Sequence, residues 1–222
     1  MPIVFSVPRP RFVGGIILGC SGRGAADPAS LAGSSGVTRC NANHGGEHMA
    51  LLAEEIVEAW LNRNGFFTIR GIKLGVHEID LLALRVTGTQ IEARHIEVQA
   101  SVRPISYLCQ LPKAVQQATG RKPQSTKLRS RKEMTEGVKE WVNKKYFVET
   151  KRRIRNKLYS GEWGYELVVH HVRYPEELEL IEKHGIKVHR LDDVIAEMSQ
   201  GKTPIQSASG SELLELVILG RQ

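Results

Sequence analysis

The chain has 222 residues, enough for one domain with a substantial core plus tails. At 41% hydrophobic and 25% charged it has the composition of an ordinary globular protein, not of a disordered or fibrous one. The formal net charge of +7 and pI near 9.4 point to an acidic partner. Cys20, Cys40 and Cys109 are odd in number, far apart and without a CxxC pair. That excludes a zinc ribbon or a disulfide framework and fits a reducing, cytoplasmic setting. No stretch reaches the roughly 20 apolar residues of a membrane span, so no membrane partner is expected.

Residues 1–47 are rich in Gly, Ser, Ala and Arg, and Asp27 and Glu47 are their only acids. Composition and a second Met at position 49 favour a low-complexity or disordered leader, ahead of a transit-type presequence and of a secretory segment ending at Cys20. "GCSGRG" imitates a phosphate loop, but Ala25 and Ala26 stand where the Lys and Ser/Thr belong, so it is set aside. His44 and His48 lie in this irregular stretch and are not read as ligands.

An ordered domain is expected over 48–200. "MALLAEEIVEAWLNRNG" puts Leu52, Ile56, Ala59 and Trp60 on one helical face, and Gly65 stops it. Strands are expected over 66–74, 77–86 and 91–100. Helical patterns follow at "CQLPKAVQQATG" and over Lys132 to Tyr159, the latter within a basic insertion at 121–160. A strand is expected over 163–173, with one of His170 and His171 facing the core and the other the surface. A helix ("PEELELIEKHG"), a strand ("IKVHRL") and a helix ("DDVIAEMSQ") complete the domain, and 201–222 reads as a linker and an apolar terminal helix that caps the core or serves a homodimer. The fold class is therefore α/β, a central mixed sheet flanked by helices.

The chemistry concentrates in "HEIDLLALRVTGTQIEARHIEVQA". A two-residue Gly88-Thr89 loop suits a type II′ turn and makes paired positions sum to 177, setting Asp80 opposite Glu97 and Glu78 opposite Gln99. The two acids would then have Cβ atoms about 5 Å apart, a destabilising arrangement of like charges in a strand apolar on both sides. A divalent cation removes the conflict, and oxygen-only ligands favour Mg²⁺ or Mn²⁺. His95 shares the acid face, two residues before Glu97.

"EID" followed after a hairpin by "EVQ", with a Glu-bearing helix ahead, resembles the PD-(D/E)xK nuclease superfamily over roughly Met49 to Met198. The resemblance implies a restriction endonuclease-like core in the order αβββαβ. It implies that Asp80 and Glu97 hold the metal, with the Val98 carbonyl as a further ligand, and that Glu54 supports the metal's water shell. Glu55 is the fallback for Glu54, and Glu58 points away. Gln99 takes the place of the usual catalytic lysine and would orient the attacking water, without bringing a charge.

Between Arg121 and Lys157 fourteen Lys/Arg stand against four acids, a local excess of +10. Lys127, Arg129, Arg131, Lys151, Arg152, Arg153 and Arg155 are expected to bind a nucleic-acid backbone, with Trp141, Tyr146 and Phe147 packing the helices onto the sheet. The expected activity is metal-dependent cleavage of DNA, in repair, recombination or restriction. Its rivals are a lapsed nucleic-acid-binding module of the same fold and an RNA-processing nuclease.

Overall fold

The computed structural model describes residues 44–101, 103–206 and 212–220. The chain runs α1 (His44–Arg63), β1 (Phe67–Leu74), β2 (His77–Thr87), β3 (Gln90–Gln99), α2 (Lys113–Thr119), α3 (Arg131–Tyr146), α4 (Glu149–Leu158), β4 (Trp163–Val169), α5 (Glu176–Glu182), β5 (Ile186–Arg190), α6 (Leu191–Ser199) and α7 (Glu212–Leu219). The expected 1–47 leader lies almost wholly outside the described residues. The first helix starts at His44, four residues before the expected boundary, so His44 and His48 sit one turn apart on it.

The five strands form one mixed sheet in the order β1-β2-β3-β4-β5. The first three run antiparallel; β3, β4 and β5 run parallel. The α/β class with helices flanking a central mixed sheet is thus as the sequence indicated. Of the two residues linking β2 to β3, only Gly88 takes a positive φ, 61°, as a type II′ turn requires. The β2–β3 ladder keeps the expected register, from Thr87↔Gln90 to Leu81↔Ile96.

Each face of the sheet is covered. Ala53, Ile56, Val57, Trp60 and Leu61 of α1 and Val194, Ile195 and Met198 of α6 pack on Leu81, Ala83, Ile96, Val98 and Val168. Val138, Trp141, Val142 and Tyr146 of α3 and Leu178 and Ile181 of α5 pack on Leu167, Val169 and Ile186. A third cluster joins Ile79, Leu82, Ala93 and Trp163, with Ile154 of α4 against it. Val217 of α7 lies against the first cluster, while Leu216 and Leu219 are exposed. Among the described residues no helix is long and apolar enough to cross a membrane.

The helix expected from Lys132 to Tyr159 divides at Phe147-Val148, where Val148 turns extended. Ser130 and Glu133 start α3 with a capping box. Its C-terminal end is closed by the next helix: Lys151 Nζ donates to the Lys145 carbonyl at 2.7 Å and Arg155 Nη1 to the Tyr146 carbonyl at 2.9 Å. Carbonyls that a helix leaves unsatisfied are here capped by cations, with the favourable sign for its dipole. The fourth strand ends at Val169, four residues short of the expected limit, because the following segment bridges to Ile105 instead of continuing the sheet.

Candidate active site

Burial falls on Ile79, Asp80, Leu81, Leu82 and Ala83 without a break, the pattern of a strand covered on both sides. Alternation slips at Asp80. Leu81 and Ala83 belong to the cluster under α1, yet Ile79 packs with Leu82 in the other. Facing this irregularity on β1 is Gly71, at φ 67°, a conformation that glycine adopts without steric cost. The β2–β3 ladder stops at Leu81↔Ile96, one pair short of Asp80 and Glu97. The Asp80 carboxylate accepts from the Val98 N–H at 2.8 Å, so it turns into the space between the strands. Asp80 and Glu97 thus meet beyond the ladder's end and are not a regular cross-strand pair.

Glu97 is fully buried on β3 and holds three donors. His95 Nε2 lies 2.9 Å and Lys151 Nζ 2.7 Å from Oε1, and Lys145 Nζ lies 2.6 Å from Oε2. Burial alone would raise the Glu97 carboxyl, but His95, Lys145 and Lys151 outweigh it and bring it down to about 2. Burial pushes His95 down to about 4, so the ring is neutral at neutral pH. Its Nε2 donates to Glu97, and Nδ1 accepts from Arg155 Nη1 at 2.9 Å. One tautomer satisfies both contacts.

Asp80 has the opposite fate. Burial first, and the nearby Glu97 charge second, push its carboxyl up to about 7. Glu54, half-buried on α1, is also raised, by burial and by Glu78. Lys145 stands among these acids. Burial opposes its charge, but Glu97, Asp80 and Glu78 hold the ammonium above its ordinary range. One cation on α3 therefore serves acids from β2 and β3, and Glu54 of α1 feels it too.

Gln99 is partly buried, and its side chain has no hydrogen-bond partner among the described residues; its carbonyl accepts from the His170 N–H at 3.2 Å. At Val98 the N–H, not the carbonyl, engages Asp80. Glu55 and Glu58 both pair with Arg70, at 3.2 and 3.3 Å. Glu58 also accepts from Thr68, so it faces β1 and does not point away.

The basic segment divides. Lys127, Arg131, Arg152 and Arg153 are exposed. Arg129, Lys151 and Arg155, expected on a phosphate-binding surface, are enclosed and cannot serve there. Arg129 donates to the Cys109 carbonyl at 2.8 Å and stacks on Tyr107. Lys151 and Arg155 close α3 and support Glu97 and His95, as described above. Tyr146 and Trp141 do pack the helix onto the sheet, and Phe147 stacks edge-on against Tyr165.

Lys145, Lys151 and the double role of His95 were not legible as a site. The two lysines sit among fourteen basic residues with no spacing that separates them from surface ones. Their one distinguishing signal is position, on either side of the aromatic and β-branched break "YFV" between two charged helices.

No family model matches the chain, and no curated protein matches it. Among solved structures, a protein of unknown function, AF1548, is 16% identical over 75% of this chain and 76% of its own, with a TM-score of 0.37. A likeness at that level adds nothing to the reading of the site.

Proposed function

We propose that the chain is a metal-dependent nuclease of the PD-(D/E)xK, restriction endonuclease-like type, hydrolysing phosphodiester bonds in DNA. The observation that carries this reading is the meeting of Lys145 with Glu97 beside Asp80. A lysine absent from the position of Gln99 is supplied from α3 to the same acids. There its ammonium can steady charge developing on a phosphoryl oxygen.

The residues fit a hard divalent cation. The groups there that could take a cation are the carboxylates of Asp80, Glu97 and Glu54, and burial first, with the Glu97 charge second, holds Asp80 near 7. Asp80 and one oxygen of Glu97 would hold Mg²⁺ or Mn²⁺, with Glu54 behind them; such an ion supplies Lewis-acid activation of water and phosphate. His95 and Lys151 fix the Glu97 carboxylate in place, and the Gln99 amide, without a side-chain partner among the described residues, is available to orient water. The exposed Lys127, Arg131, Arg152 and Arg153 supply contacts to the backbone, which set position and affinity but not sequence preference.

One observation favours a second reading. Both Glu97 oxygens are already occupied by His95, Lys145 and Lys151, so this half of the site is neutralised without any metal. On that reading the same fold binds nucleic acid and does not cut it. Cleavage assays on plasmid, branched DNA and RNA in Mg²⁺ and Mn²⁺, with Asp80→Ala alongside, separate the two readings and identify the sugar. Metal-dependent cutting lost in Asp80→Ala supports the nuclease; salt-sensitive binding without cutting supports the binding module.

A further inference from the structure

A second group of metal-ligating side chains lies at the carboxyl ends of the parallel strands. The chain leaves the sheet after Val169, so the strand alternation that would send His170 and His171 to opposite sides no longer applies. Their rings lie side by side instead, 4.3 Å between centroids at 35°. Asp192, in the first turn of α6, joins them: one ligand atom from each of the three lies within 4.8 Å of the others.

Two features make this more than a chance grouping. First, the His170 ring is held by a bond of the kind that metal-binding histidines make. Its Nδ1 lies 3.0 Å from the Ser101 carbonyl, which can only accept. Nδ1 therefore donates there, which in a neutral ring leaves the lone pair on Nε2; metal-binding histidines are commonly fixed by such a bond to a backbone carbonyl. Second, the backbone of both histidines is held. The His170 N–H donates to the Gln99 carbonyl at 3.2 Å, and the His171 carbonyl accepts from the Ile105 N–H at 2.9 Å.

We infer that His170, His171 and Asp192 form a site for a divalent transition metal of the zinc class, separate from the acid and lysine cluster. Two imidazoles select such an ion over Mg²⁺ or Ca²⁺, which prefer all-oxygen sites. Ligands about 2.1 Å from a tetrahedral ion stand about 3.4 Å apart, so closure by no more than about 1.5 Å completes the set. His171 is exposed, so core packing does not oppose that closure. Three protein ligands leave the fourth position to water or an exogenous donor.

The test uses the full chain, stripped of metal by a chelator and titrated with Co²⁺, followed by competition with Zn²⁺. The expected result is one equivalent of Co²⁺ giving the intense visible absorption of a tetrahedral site, displaced by Zn²⁺. His171→Ala and Asp192→Asn should each weaken uptake by at least about tenfold. Excess Mg²⁺ should leave that tetrahedral absorption unchanged, which separates this site from the proposed nuclease centre. Wild-type protein that takes up no Co²⁺ overturns the inference, as does uptake unchanged in both His171→Ala and Asp192→Asn. The wild-type titration needs no variant to fold.

Discussion

Lys145 and Glu97 lie 2.6 Å apart, one near the end of a basic helix and the other sealed within the third strand. The contact joins two features that look unrelated in the sequence, an acid placed where a valine belongs and a run of positive charge. Burying the Glu97 carboxylate alone would cost several kcal/mol. Two lysines and a histidine offset that cost, so the charged state persists where the sheet is driest.

Lys151→Met should destabilise the fold. Its ammonium binds Glu97 and closes the end of α3, and both partners are buried. Removing one member of a buried ion pair costs about 3–5 kcal/mol, although here His95 and Lys145 remain on Glu97 and the lower end is expected. Urea denaturation reads the loss directly. Arg152→Ala, on the exposed face of the same helix, should shift the midpoint little.

Two carboxyls set opposite pH limbs. Glu97 titrates near 2 in the folded state against 4.5 ordinarily, so its contribution is present above 4.5 and lost as pH falls towards 2. Asp80 titrates near 7 against 3.8, so its contribution is complete at low pH and lost as pH rises through 7. Between pH 4 and 8, Asp80→Asn should therefore gain on the wild type, by an amount on the order of a few kcal/mol. Mg²⁺ should narrow that gap above pH 7 by compensating Asp80. Thermal melts across pH, with and without Mg²⁺, measure both effects.

Gly71→Ala tests the irregularity that turns Asp80 into the strand gap. A side chain at φ 67° costs about 1–2 kcal/mol, with no close clash to add to it. Melting temperature should fall accordingly, and any cleavage activity should fall further than stability does, because the opposing carboxylate loses its setting.

Exposed and enclosed arginines should separate in binding. Arg131→Ala, Arg152→Ala and Arg153→Ala should each weaken nucleic-acid binding and reduce the salt slope by about one. Arg129→Ala should leave the slope unchanged and lower stability, since its guanidinium binds the Cys109 and Ser125 carbonyls. Fluorescence anisotropy at several salt concentrations distinguishes the two classes.

The fold was largely legible because hydrophobic period and turn chemistry are local. Gly88 set the hairpin register, and α1 followed from the stripe through Ile56 and Trp60. One addition of residue numbers across the turn brought Asp80 near Glu97 for the same reason, although the ladder ends one pair before them. What escaped were long-range contacts made by residues whose type predicts exposure. Lys151 and Arg155 look like surface cations, yet the break at Val148 folds α4 back so that both close α3 and reach β3. The slip at Asp80 escaped because no local rule marks it except Gly71 on the neighbouring strand. A strand extended past Val169 predicts opposite faces for His170 and His171; His170 is partly buried and His171 exposed, yet beyond the strand's end their rings lie side by side.

The most direct measurement is nicking of supercoiled plasmid in Mg²⁺ or Mn²⁺ by the wild type and by Lys145→Met, with folding of each verified by circular dichroism. The wild type is expected to nick only with a divalent ion present, and Lys145→Met to lose at least about 10²-fold of that rate while still binding DNA. A folded Lys145→Met that nicks as fast as the wild type, or a wild type that binds DNA and nicks in neither ion, would contradict the account.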